Sequence, residues 1–68
     1  MGLRVTVNGE ERQFETAMSI DKLLDELGLE PQKIAVERNL EIVPRSQYQD
    51  ITVADGDRLE IVQFIGGG

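Results

Sequence analysis

Cysteine, histidine and tryptophan are all absent from this 68-residue chain. Without cysteine there is no disulfide staple and no thiolate chemistry. Without histidine, the usual general base and the commonest metal ligand are missing. One tyrosine and two phenylalanines are the only aromatics, so the core must be aliphatic. No apolar run approaches the roughly 20 residues of a membrane-spanning helix. Basic residues are also outnumbered: seven Lys and Arg against 13 Asp and Glu leave a formal net charge of −6. Such a body repels phosphate backbones, which argues against nucleic acid and for protein partners with a basic face. We expect a soluble cytoplasmic protein with neither nucleic-acid nor membrane partners. Met1, Gly2 and Thr6 match the N-myristoylation pattern, but a strand opening at Leu3 would leave no free arm to modify.

Hydrophobic residues make up 40% of the chain, enough for one core and too many for a disordered segment. The length allows one domain. Leu3, Val5 and Val7 alternate with Arg4, Thr6 and Asn8, the period of a half-buried strand. Asn8-Gly9 is a strong hairpin signal and predicts a return strand over Glu11 to Glu15 with Phe14 inward. Ser19 reads as a helix N-cap. Ile20, Leu23, Leu24 and Leu27 form one apolar stripe at i, i+3, i+4 and i+7. Gly28 is placed for the left-handed residue past the helix end, and Leu29 can close the cap. Pro31 bars a restart.

Ile34 to Arg38 reads as a strand with Ile34 and Val36 inward, Asn39 as a turn, and Leu40 to Val43 as a short strand stopped by Pro44. Ser46 to Asp50 suggests one helical turn pinned by Tyr48, and Ile51 to Val53 a short edge segment. Asp55-Gly56-Asp57 predicts a hairpin turn before a last strand over Arg58 to Phe64. One amphipathic helix needs one sheet face to cover. A hairpin, a crossover helix and further strands closing beside the first predict an α+β fold of the β-grasp (ubiquitin-like) kind: a mixed sheet with one main helix on one face. Its first and last strands would run parallel in the centre. The domain is expected to span residues 1–64, with Ile65 to Gly68 expected as a flexible glycine tail.

Most polar candidates for chemistry fail. Asp55 and Asp57 flank a glycine but lack calcium-loop spacing, so a turn is the better reading and no metal ligand is expected. Ser19, Ser46 and Tyr48 have no histidine to activate them, and neither lysine sits in an apolar run. Glu10-Glu11 reads as a solvated hairpin shoulder. Pro44-Arg45 fits a recognition point and a strand stop equally well. No catalytic residue is expected.

The chain closes on Ile65-Gly66-Gly67-Gly68. Glycine has no Cβ, so Gly66 to Gly68 can enter a slot that any side chain would block. Four extended residues reach roughly 13 Å. A terminal carboxylate is ionised at neutral pH and is a poor electrophile until it becomes an acyl phosphate anhydride. A partner enzyme with ATP can make that anhydride, and a nucleophile can then displace AMP. The tail therefore offers a handle on which another enzyme works.

Four stretches carry a resemblance: Val36-Glu37-Arg38-Asn39; Ile42-Val43-Pro44-Arg45 with an aromatic at Tyr48; Asp55-Gly56-Asp57-Arg58-Leu59-Glu60-Ile61; and Val62-Gln63-Phe64-Ile65-Gly66-Gly67-Gly68. Along essentially its whole length the chain resembles the ThiS family, the small sulfur carriers of thiamine (thiazole) biosynthesis. Tyr48 stands where that family often has Trp and keeps an aromatic anchor. The resemblance implies that an E1-like adenylyltransferase uses ATP-Mg to adenylate Gly68. Sulfur from cysteine, supplied through a cysteine desulfurase, would replace AMP and leave a terminal thiocarboxylate. Thiazole synthase would then take the tail. This chain would bind no cofactor and act as carrier and substrate, not enzyme. A sulfur carrier of another pathway, such as a molybdopterin-type carrier, or a ubiquitin-like protein modifier shares fold and tail and remains open, as does a non-covalent interaction module.

On the last strand Leu59 and Ile61 share one parity, and Glu60, Val62 and Phe64 the other. With Leu59 and Ile61 under the helix, Val62 and Phe64 fall on the open sheet face. They are expected to dock the partner enzymes, with Glu60 meeting basic residues there and Ile65 leading into the tail.

Overall fold

The computed structural model describes residues 2–64; the expected glycine tail and Ile65 lie outside the described residues. Strand β1 (Leu3–Val7) turns through Asn8 and Gly9 into β2 (Glu10–Phe14). Asn8 at φ 51 and Gly9 at φ 84 are both left-handed, the two-residue turn whose twist matches a hairpin. That turn closes on Val7 opposite Glu10, so β2 starts and ends one residue earlier than its expected span. Phe14 still lands opposite buried Leu3 and packs against the core edge.

Helix α1 (Ile20–Glu26) is capped by Ser19, whose hydroxyl accepts from the Lys22 N–H at 3.1 Å. At its other end Gly28 takes φ 76. The Gly28 N–H donates to the Asp25 carbonyl and the Leu29 N–H to the Leu24 carbonyl, the paired bonds of a glycine-terminated helix. Ile20, Leu23 and Leu24 are fully buried, while Leu27 sits on the core margin.

A 3₁₀ turn (Pro31–Lys33) leads into β3 (Ile34–Arg38), and the Asn39-Leu40 turn into β4 (Glu41–Val43). A second 3₁₀ turn (Arg45–Gln47) delivers Tyr48, which is buried. Strand β5 (Arg58–Gln63) closes the sheet. The strand order is β2-β1-β5-β3-β4. β5 runs parallel to β1 and antiparallel to β3, so the first and last strands meet in the centre. This is the expected β-grasp arrangement, a mixed sheet with one helix covering one face.

Two local expectations are corrected. Ile51 to Val53 is not an edge strand; Thr52 makes a single bridge to Ser19. The backbone there serves the helix entry instead: Ile20 N–H donates to the Ile51 carbonyl and Val53 N–H to the Met18 carbonyl. Asp55-Gly56-Asp57 is a turn, with Gly56 at φ 90, but it closes no hairpin. β5 takes its neighbours from β1 and β3, so the turn only redirects the chain into the sheet centre.

Candidate functional site

The site is built from strand parity. Along β5, Leu59 and Ile61 are buried under the helix, and Glu60 and Val62 point to the other face. Val62 is 60% exposed and Phe64, just past the strand, 57%. Both expected docking residues therefore lie open, and Glu60 lies between them and the strand's start. The register with β3 sets Val62 opposite Ala35 and Glu60 opposite Glu37, and β4 adds Ile42 opposite Glu37. Ala35, Glu37, Ile42, Glu60 and Val62 thus share the open face. The Phe64 N–H donates to the Lys33 carbonyl at 2.8 Å, which carries the β3 pairing to the last described residue.

Ile42 (72% exposed) extends this surface beyond the docking residues expected on β5. The alternation of β4 was readable in Ile42 and Val43, but a three-residue strand carries too little period to say which face meets solvent. Only its register against β3 decides that. Glu37 and Glu60 meet directly across the strands, an arrangement that repels. Among the described residues neither forms an ion pair; Lys33 pairs with Glu30 and Arg38 with Asp57. Across β4, β3 and β5 the open face therefore runs from Ile42 through Glu37 to Glu60, with Val62 further along β5 and polar Thr6 and Arg58 on the β1 side.

The start of β5 is held by a buried carboxylate that reads in the sequence only as a turn residue. Asp57 accepts from the Ala54 N–H and from Arg38 Nε, both at 2.8 Å, and from Asn39 Nδ2 at 3.1 Å. Asn39 Oδ1 in turn accepts from the Arg58 N–H. Burial pushes the Asp57 carboxyl up, but the hydrogen bonds from Ala54, Arg38 and Asn39 and the Arg38 charge outweigh it and hold its pKa below the ordinary 3.8. The sequence signal for it is Arg38-Asn39, a cation and an amide donor at a strand end, together with the acidic turn at Asp55-Gly56-Asp57. Among the described residues no three acidic side chains converge as a metal site would need, and no helix is long and apolar enough to cross a membrane.

The family model for the ThiS family matches residues 5–68. The chain belongs to the ThiS family. It is 42% identical over 63 residues to the sulfur carrier protein ThiS of Bacillus subtilis, covering 91% of this chain and 96% of that protein. It is 58% identical over 66 residues to a thiazole synthase of Paramagnetospirillum magneticum, covering 97% of this chain and 20% of that protein. The chain thus spans about a fifth of the length of the first curated relatives it matches. The crystal structure of a ThiS from Geobacter metallireducens superposes with a TM-score of 0.84 at 32% identity, covering 97% of this chain and 100% of that one.

Proposed function

We propose that this chain is a sulfur carrier of thiamine biosynthesis, working in the cytoplasm as the substrate of other enzymes. The Gly68 carboxylate attacks the α-phosphorus of ATP-Mg in an E1-like adenylyltransferase, and pyrophosphate leaves. The terminal sulfur of a desulfurase-derived cysteine persulfide displaces AMP. A second thiol then cleaves the resulting acyl disulfide, which leaves the thiocarboxylate and a disulfide between the two thiols. Thiazole synthase then accepts that sulfur. Gly66 and Gly67 are slim enough to enter both partner sites. ATP-Mg belongs to the adenylating enzyme; this chain supplies the acyl group and the surface that docks it. The observation that carries the reading is the family match running through to Gly68.

Docking falls to the open sheet face. Val62 and Phe64, leading through Ile65 into the tail, supply apolar contact, and Ile42 extends it across β4. Exposed apolar side chains gathered beside a working terminus mark an interaction surface. Glu60, with Glu37 opposite, meets basic side chains of the partner, which relieves their mutual repulsion and steers encounter.

Intact-protein mass spectrometry after incubation with the adenylyltransferase, ATP-Mg and a sulfur source tests the reading. One oxygen exchanged for one sulfur at the C-terminus is the expected result. Attachment of the chain to lysines of other proteins would replace the carrier by a modifier, and an unchanged mass would leave only a non-covalent module.

A further inference from the structure

Asn8 does two jobs. With φ 51 it opens the hairpin turn, a task that glycine or aspartate also performs. In addition its Oδ1 accepts from the Ile61 N–H at 2.7 Å, and its Nδ2 donates to the Ile61 carbonyl at 3.1 Å. The parallel register of β1 and β5 covers Thr6 with Arg58 and Val7 with Leu59. The Asn8 N–H still reaches the Leu59 carbonyl at 2.9 Å, and then the chain leaves for β2. β5 continues to Gln63 with β1 gone.

In an antiparallel ladder only alternate residues aim their N–H and C=O at the partner strand. The Phe64 N–H bonds to Lys33, so Phe64, Val62 and Glu60 aim toward β3, and Ile61 and Gln63 toward the side β1 has vacated. The Asn8 amide gives Ile61 what one more residue of β1 would have given. Among the described residues it is the last bond on that side of β5, five positions before Gly66.

We propose that Asn8 is a positioning residue for tail delivery: its amide fixes the direction in which β5 presents the C-terminal residues to the adenylating partner. That role presupposes the adenylation described above. Glu60 and Val62 are held from the β3 side, so the docking face survives loss of the amide. What is lost is the restraint on the other side of the strand.

Asn8→Gly keeps the left-handed turn and deletes the amide. Asn8→Asp keeps an oxygen for the Ile61 N–H and sets it against the Ile61 carbonyl. Both are measured for adenylation rate against carrier concentration, for urea unfolding and for amide hydrogen exchange. In Asn8→Gly the Ile61 amide should exchange faster while Val62 stays protected. The saturated adenylation rate should fall about ten- to a hundredfold, as misaimed reacting groups do, with half-saturation within about twofold of wild type. Asn8→Asp should fall between the two, and it carries the test if Asn8→Gly does not fold. A saturated rate equal to wild type in both variants, or a loss confined to half-saturation, overturns the proposal. A wild-type chain that the enzyme leaves unadenylated sinks the functional reading itself, and this role with it.

Discussion

Arg38 Nε donates to Asp57 Oδ2 at 2.8 Å, and the Asp57 side chain is 8% exposed. Among the described residues this is the one ion pair with a buried member; in the other four both side chains are about half exposed or more. It joins the end of β3 to the start of β5, the strand that leads to the tail.

The charge of Asp57 should therefore stabilise the fold over a defined pH range. Its folded pKa lies below the ordinary 3.8, so the stabilisation is complete above that value and is lost as pH falls through the folded one. Asp57→Asn should cost about 2 kcal/mol at neutral pH, because donors then face donors. Urea unfolding of both proteins, stepped down to about pH 2, should show the difference shrinking below the ordinary carboxylate range. A difference constant with pH would mean that shape, not ionisation, is what Asp57 supplies.

Leu24 is fully buried where α1 meets the sheet. Leu24→Ala removes its contacts and leaves a cavity, which should cost about 2–5 kcal/mol in chemical denaturation. A loss below about 0.5 kcal/mol would remove this residue from the core.

Leu40 sits at φ 72 with its side chain 80% exposed. A branched side chain in left-handed backbone is strained, and solvent exposure returns little for it. Leu40→Gly should raise stability by up to about 1 kcal/mol, read from the urea midpoint. If stability falls instead, Leu40 has packing that its exposure does not reveal.

Val62 and Ile42 lie on the open face, where substitution barely touches the core. Val62→Asp and Ile42→Gln should each leave stability within about 0.5 kcal/mol while slowing ATP–pyrophosphate exchange by the adenylyltransferase. Gly68→Ala should impair exchange more than it impairs binding. Wild-type exchange rates in Val62→Asp would place docking on another surface.

Much of this molecule is legible in short windows of sequence. The alternation over Leu3 to Val7, the stripe from Ile20 to Leu24, the Ser19 cap and the glycine at position 28 each obey rules that act over two to four residues. Each was found where those rules put it. The parity of β5 placed Val62 and Phe64 in the open for the same reason. The windows fell short where backbone partners came from elsewhere: Ile51 to Val53 reads as a short edge segment, and its hydrogen bonds turn out to serve the entry to α1.

The sequence alone determined the elements, the apolar side of each and the family to which the chain belongs, because periodicity and motif are properties of consecutive residues. Only the tertiary structure decided which distant residues became neighbours. The strand order and register set Glu60 against Glu37, carried Ile42 onto the same face, turned Asp57 inward to Arg38 and brought the Asn8 amide to Ile61. Register is chosen by the whole sheet at once, since a one-residue slip on any strand would exchange its buried and exposed faces.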